Sequence, residues 1–302
     1  MSRSLCFVAA AASSVTITTP RAHAIASRRS AFFSPAHTLR QGPHRRPFAS
    51  GRHPHGARDR TWPLWVLRAQ WGADVVFSDA SILETGTTGN CHRLLVDIGG
   101  PAAAGYSTPG QFIQAKVDPE GKAGFFAIAS PPDANNDGVI ELLIKPSGEA
   151  AEALCSAPPG TTIKASPVQG KGFPIDRIES VKNVFIFATG SGISPIKALI
   201  ESGRLNPQNR SQITLYYGAR TLDAMAFRHS IPTWEKEHGI RIIPVFSEQG
   251  QGYVQDVFKA SGGVEQGKSV AAVLCGQKDM AVAVTEFLTS AGVPKEHILL
   301  NF

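Results

Sequence analysis

The stretch from Val184 to Gly203, VFIFATGSGISPIKALIESG, restricts the fold of this chain more than any other. A run of apolar and β-branched residues breaks at Gly190-Ser191-Gly192 and resumes with helical spacing, which predicts a buried parallel strand, a glycine turn and a helix. Glycine permits positive φ and close approach of a ligand, and the free N–H groups at a helix start bind phosphate. The stretch therefore predicts a dinucleotide pyrophosphate site, with an ordinary βα turn of a doubly wound sheet as the alternative.

Two parts of the dinucleotide-binding fingerprint are missing from this glycine turn. Pro195 stands where a complete G-x-G-x-x-G pattern continues. The acidic residue expected about twenty positions further on is absent, since Arg220 and Asp223 lie roughly thirty positions away. The motif alone is a weak signal, so the interpretation depends on the rest of the chain.

The basic character of the chain is confined to its N-terminus. Of the 30 basic and 24 acidic residues, ten arginines and one acid, Asp59, lie in residues 1–60, which leaves 20 basic and 23 acidic residues in 61–302. The mature part therefore has a net charge of −3, and we expect no nucleic-acid partner.

Residues 1–60 have the composition of an organellar transit peptide, being rich in Ala, Ser, Arg and His and poor in acids. We predict a disordered transit peptide that directs the chain to the chloroplast, with the mitochondrion as the alternative and a basic tail that stays attached as a second alternative. No segment reaches the roughly 18–20 apolar residues of a membrane span. The four cysteines are far apart in sequence and indicate neither a disulfide framework nor a metal site. Separately, we expect the protein to be a monomer.

The mature chain shows two successive patterns of secondary structure. From Ala73 to about Pro174, short strands alternate with turns rich in Gly, Pro, Asn and Asp, which is typical of an antiparallel barrel or sandwich. After Val181, strands and helices alternate, which predicts a parallel sheet covered on both faces. We therefore expect an antiparallel β-barrel over residues 70–175, followed by a doubly wound parallel α/β domain over 181–302.

Individual elements follow from the same periodicities. The first strand is expected over Asp74–Leu83, and a short helix over Glu149–Cys155. In the α/β part, helices are expected over Ile193–Glu201 and, as one long element, over Leu222–Glu237.

The chain resembles the ferredoxin–NADP reductase-like flavoprotein superfamily, and within it the plant FAD/NAD(P)-binding oxidoreductases. The resemblance covers about residues 70–302 and rests on six motifs in the same order. These motifs are Pro109-Gly110-Gln111-Phe112, Phe126-Ala127-Ile128-Ala129-Ser130, Gly170-Lys171-Gly172-Phe173, Gly190-Ser191-Gly192-Ile193-Ser194-Pro195, Gly252-Tyr253-Val254-Gln255 and Cys275-Gly276.

The resemblance implies that the barrel holds FAD and that the second domain holds NAD(P)H. The family's flavin signature, R-x-Y-S followed by I-A-S, falls on Gly124–Ala127 and Ile128–Ser130, and its phosphate-binding G-x-x-S is altered here to Gly148-Glu149-Ala150-Ala151. Gly124 replaces the arginine that pairs with the flavin pyrophosphate, Phe126 replaces the tyrosine and Ala127 replaces the hydroxyl residue of that signature. In the altered G-x-x-S, Glu149 would oppose a phosphate. The implied flavin contacts are Phe126, Ala127, Ile128, Ala129, Ser130 and Gly148.

The nucleotide site is also implied by the resemblance. Arg220 would lie beside phosphate or ribose, and Tyr253 would pack on the adenine; a solvated arginine and a core aromatic are the respective alternatives. Ser247 matches a serine that contacts a 2′-phosphate, but Glu248 replaces an arginine and would repel that phosphate, so the choice between NADH and NADPH stays open. The implied set is Gly190, Ser191, Gly192, Ile193, Arg220, Ser247, Tyr253, Gln255 and Gly276.

Cys275 matches the cysteine that lies beside the reacting rings, where its role would be positioning; a small residue that only packs at a strand end is the alternative. The resemblance implies that the terminal Phe302 would cover the flavin, as a terminal aromatic does in plastid members of the family; a terminal strand Leu300-Asn301-Phe302 that packs on the sheet is the alternative. We therefore predict an oxidoreductase that transfers hydride from NAD(P)H to FAD and electrons to an unidentified acceptor. The alternatives are a non-catalytic nucleotide-binding protein with this fold and a reductase that binds flavin only transiently.

Overall fold

The computed structural model of the chain describes residues 75–132, 134, 137–264 and 270–301. The predicted transit peptide (residues 1–60) and Phe302 lie outside these described residues. Within them, no helix has the length and apolar character needed to cross a bilayer, and no group of three or more potential metal ligands occurs.

Six antiparallel strands form the N-terminal sheet, in the order β4-β3-β6-β1-β2-β5. An isolated bridge joins Ile128, which directly follows β4, to Leu142 of β5, so the two edges of the sheet meet without a continuous ladder. The strands are β1 Ser78–Thr88, β2 Cys91–Asp97, β3 Phe112–Lys116, β4 Gly124–Ala127, β5 Val139–Ile144 and β6 Thr162–Ala165.

The interior of this sheet is apolar because alternate side chains of each strand point inward. Ile82, Leu94, Ile113 and Leu142 are fully buried there, and each such side chain contributes roughly 1.5–3 kcal/mol by leaving water. Two helices accompany the sheet: α1 Gly100–Ala103 and α2 Glu149–Ser156. The observed α2 agrees with the helix predicted over Glu149–Cys155, whereas β1 begins and ends later than the predicted Asp74–Leu83.

Five parallel strands form the second sheet, in the order β11-β10-β7-β8-β9. These strands are β7 Asn183–Thr189, β8 Gln212–Ala219, β9 Arg241–Phe246, β10 Val270–Cys275 and β11 Ile298–Leu300. The helices are α3 Ile193–Glu201, α4 Ile231–His238, α5 Val254–Ala260 and α6 Lys278–Ser290.

Alternate residues of β7 enter two different apolar clusters. Val184 and Ile186 pack with Trp234 of α4, whereas Phe185 and Phe187 pack with Phe258 of α5. Since successive side chains of a strand point to opposite faces, helices cover both faces of this sheet. The predicted architecture, an antiparallel β-barrel followed by a doubly wound parallel α/β domain, is confirmed as a six-stranded antiparallel sheet, whose edges meet at one isolated bridge, followed by a five-stranded parallel sheet.

The helix predicted over Leu222–Glu237 is wrong in its first half. Residues 222–230 form turns and a short 3₁₀ segment, and α4 begins only at Ile231. The β1–β2 hairpin lies against this segment: the N–H of Asn90 donates to the carbonyl of Ala224 (3.3 Å), and the N–H of Phe227 donates to Oγ1 of Thr88 (2.7 Å). Backbone groups that a helix would use internally bind the hairpin instead.

Helix α3 fixes the two sheets to each other. The hydroxyl of Ser194 donates to the carbonyl of Ala127 (2.8 Å), at the end of β4. One turn later, the buried ammonium of Lys197 lies 2.8 Å from Oε2 of Glu141 on β5 and 2.7 Å from Oε2 of Glu201. The helix that follows the glycine turn is therefore held directly against the antiparallel sheet.

Candidate active site in the cleft between the sheets

A cleft of about 1060 Å³ lies between the two sheets. One side, here called the barrel wall, is formed by β4 and by residues 148–151 at the start of α2. The other, the sheet wall, is formed by residues 189–192, 218–220 and 275–277, which follow the carboxyl ends of β7, β8 and β10. Open α/β sheets bind ligands at this end of their strands, and the volume is that of a site for a nucleotide-sized ligand.

The glycine turn at residues 190–192 leads from β7 into α3, as predicted. Gly190 has φ +55°, and a Cβ added there would meet none of the described atoms within 4 Å. Gly192 has a negative φ, but a Cβ there would overlap the carbonyl of Cys275. Gly190 therefore keeps the space in front of the turn open to a ligand, whereas Gly192 allows the turn to pack against the end of β10.

The end of β10 completes the sheet wall. Gly276 has φ +145°, and a Cβ there would overlap Oγ1 of Thr189, which already accepts a hydrogen bond from the N–H of Gln277 (2.8 Å). Burial raises the pKa of the Cys275 thiol to about 12, although part of the residue opens onto the cleft. The thiol is therefore protonated at neutral pH, which suits a positioning role and not nucleophilic attack.

The far end of the cleft bears polar and aromatic groups. Arg220 and Tyr253 are exposed on its rim, and Ser247 lies beside them. The carbonyl of Arg220 accepts a hydrogen bond from the N–H of Glu248 (3.1 Å), so the backbones of a cationic and an anionic residue adjoin here. Tyr253 is 58 % exposed at the start of α5 and is therefore not a core aromatic.

Most of the residues predicted to bind cofactor line this cleft. Those that do are Phe126, Ala127, Gly148, Gly190, Ser191, Gly192, Arg220, Ser247, Tyr253, Cys275 and Gly276.

Five predicted contacts are placed elsewhere. Ile128, Ala129 and Ile193 are fully buried in apolar clusters. The hydroxyl of Ser130 accepts a hydrogen bond from the N–H of Glu141 (3.0 Å) and so supports β5. Gln255 lies on α5 behind the rim, and among the described residues its buried Oε1 has no hydrogen-bond partner.

The barrel wall has no room for a longer side chain at position 124. The ring of Phe126 lies over Gly124, since a Cβ at Gly124 would be 2.5 Å from Cζ of Phe126 and 3.3 Å from Cβ of Ala150. Phe126 is 9 % exposed and belongs to the core of the antiparallel sheet. The space in which an arginine at position 124 would begin is therefore occupied, and Glu149 opens α2 beside it.

Sequence reasoning missed several polar residues that line the cleft, among them Asn90, Lys122 and Lys145. Asn90 reaches it from the hairpin that packs on residues 224–227, a long-range contact with no local signal. Lys145 directly follows β5, a strand that lies beside the flavin signature. A lysine at the end of that strand is the sequence feature from which this contact could have been predicted.

Comparisons with known proteins agree with this geometry. Residues 186–286 match the family model described as the oxidoreductase NAD-binding domain. The chain is 29 % identical over 286 residues to fruit protein pKIWI502 of Actinidia deliciosa, and the match covers 86 % of this chain and 90 % of the relative. It is 24 % identical over 201 residues to the sulfhydrogenase 1 subunit gamma of Pyrococcus furiosus, covering 64 % of this chain and 67 % of the relative.

Among solved structures, the chain resembles a ferredoxin NADP+ reductase from Neisseria gonorrhoeae with bound FAD and NADP. The TM-score is 0.61 and the identity is 18 %, and the match covers 74 % of this chain and 97 % of the other. At this identity the similarity concerns the fold alone.

Proposed function

We propose, from the ferredoxin–NADP reductase-like fold that the comparisons confirm, that this chain is an NAD(P)H-dependent flavin oxidoreductase that passes electrons to an acceptor. The observation on which the proposal depends is the single cleft in which a glycine turn, a protonated Cys275 and the end of β4 meet. Bound flavin would supply the hydride-accepting ring, and the protein would align the donor with it and exclude water.

The sheet wall binds the nucleotide in this proposal. Backbone N–H groups of the glycine turn, at the start of α3, receive the pyrophosphate in the open space in front of Gly190. Tyr253 offers an exposed aromatic face to the adenine, and the guanidinium of Arg220 attracts phosphate or ribose.

The nicotinamide end then lies between Cys275 and Ala127. Because the thiol of Cys275 keeps its proton at neutral pH, it packs against the ring as a neutral group. Ala127 is held in place by the hydrogen bond from Ser194, so the two walls keep a fixed separation where the rings would meet.

Stopped-flow reduction of the FAD-supplied protein by NADH and by NADPH, run in parallel, tests the proposal. We expect the flavin absorbance to bleach with at least one donor, at a rate that saturates with donor concentration. Failure of both donors at saturating concentration would refute the enzyme function and favour a nucleotide-binding protein, an alternative motivated by Gly124 and Ala127, which stand where the family's flavin signature has an arginine and a hydroxyl.

Two alanine variants provide a matched control. Gly190 and Gly203 both have positive φ, and at both sites an added Cβ would meet nothing within 4 Å in the described structure. Each substitution therefore costs about 1 kcal/mol of backbone strain, but only Gly190 lines the cleft. Gly190→Ala should raise the donor concentration for half-saturation about tenfold, and Gly203→Ala should leave it unchanged; equal effects would place the nucleotide elsewhere.

A further inference from the structure

The barrel wall lacks the means to hold a flavin by its phosphates. The four residues of β4, Gly124–Ala127, include no cation and no hydroxyl. The ring of Phe126 reaches the position of a Cβ at Gly124 and is buried in the core, so this space is filled by the protein itself. A guanidinium–phosphate pair lost from such a site lowers affinity about tenfold to a hundredfold.

The start of α2 does not replace that pair. Its first turn contains Glu149 and Glu152, and the N-cap Gly148 provides no side-chain cap. A carboxylate at a helix start offsets the attraction of the backbone N–H groups for an anion. Lys122 and Lys145 line the same wall, but both are exposed, so salt screens their attraction.

The part of the cleft where the flavin ring would bind, by contrast, is formed by well-positioned residues of both walls. Ala127 is fixed by Ser194, the aromatic Phe126 forms the wall behind it, and Cys275 with Gly192 lies opposite. This arrangement suits a flat, partly apolar tricyclic ring. It does not distinguish between flavins that differ only in the phosphate groups attached to the ribityl chain.

We propose that flavin is an exchanging substrate of this protein and not a retained prosthetic group, so that riboflavin, FMN and FAD all serve as acceptors. The inference rests on the proposed function and identifies its acceptor. The C4–H bond of the dihydronicotinamide breaks and its hydride forms an N–H bond at N5 of the oxidised flavin, while a solvent proton adds at N1. NAD(P)H is oxidised to NAD(P)⁺, and the flavin leaves as the two-electron-reduced dihydroflavin.

Binding of the three flavins to the full chain, measured without nicotinamide nucleotide, is the direct test. In 0.15 M salt, titrations followed by flavin fluorescence should give dissociation constants within about tenfold of one another, since one phosphate-binding group accounts for that factor or more. The flavin should separate from the protein on gel filtration. Stoichiometric retention of FAD, FAD binding more than a hundredfold tighter than riboflavin, or no binding of any flavin would each overturn the inference.

Turnover supplies a second readout. Under anaerobic conditions with excess riboflavin, one dihydroflavin should form per NAD(P)H oxidised, and it should pass through an ultrafiltration membrane that retains the protein. If FAD stays bound and is reduced only once, the inference falls while the proposed reductase stands. If all flavins bind but neither donor reduces them, the reductase function itself falls.

A matched pair of acidic residues locates the phosphate end. Glu149 and Glu152 both lie exposed in the first turn of α2, but only Glu149 lines the cleft. Glu149→Gln should tighten FMN and FAD about two- to fivefold and leave riboflavin unchanged, whereas Glu152→Gln should change none of them. Equal effects of Glu149→Gln on all three flavins, or none on any, would refute this orientation of the flavin.

Discussion

Lys197 offers the sharpest test of how the two sheets are held together. Its side chain is 11 % exposed and lies between two carboxylates, Glu141 on β5 (9 % exposed) and Glu201 on α3 (25 % exposed). Lys197→Met keeps most of the side-chain volume and removes the charge. Removing one partner of a buried ion pair destabilises a protein by about 3–5 kcal/mol, because the remaining charge is left uncompensated.

The structure places the expected value at the lower end of that range. Glu141 keeps Nε of Arg93 at 2.7 Å, and Glu201 keeps Nε1 of Trp234 at 3.1 Å. We therefore expect a loss of about 3 kcal/mol in the free energy of unfolding. For a folded part of this size, that corresponds to a decrease in Tm of about 6–12 °C.

Thermal and urea unfolding followed by circular dichroism measure this loss. Lys236→Met, at an exposed position of α4, is the control and should change the free energy of unfolding by less than about 0.5 kcal/mol. The double variant Lys197→Met/Glu141→Gln removes the stranded charge as well, so it should lose less than the two single variants added together. If Lys197→Met behaves like the surface control, the Lys197–Glu141 ion pair does not hold α3 to β5.

Three further predictions concern the pH dependence of stability, Tyr253 at the rim of the cleft, and the predicted transit peptide of residues 1–60. Burial raises the pKa of Cys275 to about 12, so the folded state retains a proton that the unfolded state loses above about pH 9. This thiol should contribute no pH dependence of stability well below pH 9 and a decrease of up to about 1.4 kcal/mol per pH unit between pH 9 and 12, and Cys275→Ser should reduce the slope in that range in urea titrations. Tyr253→Leu should weaken NADH binding about three- to tenfold in fluorescence titrations with little change in Tm, because the side chain is exposed. Residues 1–60 fused to a fluorescent protein should accumulate in chloroplasts in microscopy, and accumulation in mitochondria would contradict the compositional argument.

The sequence predicted those parts of the fold whose signals are local. The glycine turn and α3 lie at the residues expected for them, because an apolar run, two glycines and helical spacing occur within twenty residues. The segment 222–230 was mispredicted because its helical periodicity competes with hydrogen bonds to Thr88 and Asn90, more than a hundred residues away. Local patterns contain no information about such a partner.

The same limit applies to the predicted flavin contacts. Ile128 and Ala129 follow β4 in sequence. The N–H of Ile128 donates to the carbonyl of Gln111, directly before β3, and the N–H of Ala129 donates to the carbonyl of Glu141 on β5, where the edges of the antiparallel sheet meet. Closure of the sheet buries both side chains, so the extended signature crosses from the cleft into the core within two residues. Only the pairing of the edges, which is a long-range feature, shows where the lining of the cleft ends.

Gly124 and Phe126 show how two substitutions that look independent in sequence form one structural unit. The ring of Phe126 can lie over β4 only because Gly124 has no side chain, and a Cβ at position 124 would be 2.5 Å from that ring. An arginine introduced at position 124 would first have to displace a buried aromatic ring from the core. The missing phosphate partner and the altered aromatic residue therefore describe a single change in the barrel wall, in which the ring of Phe126 occupies the space where the side chain of an arginine at position 124 would begin.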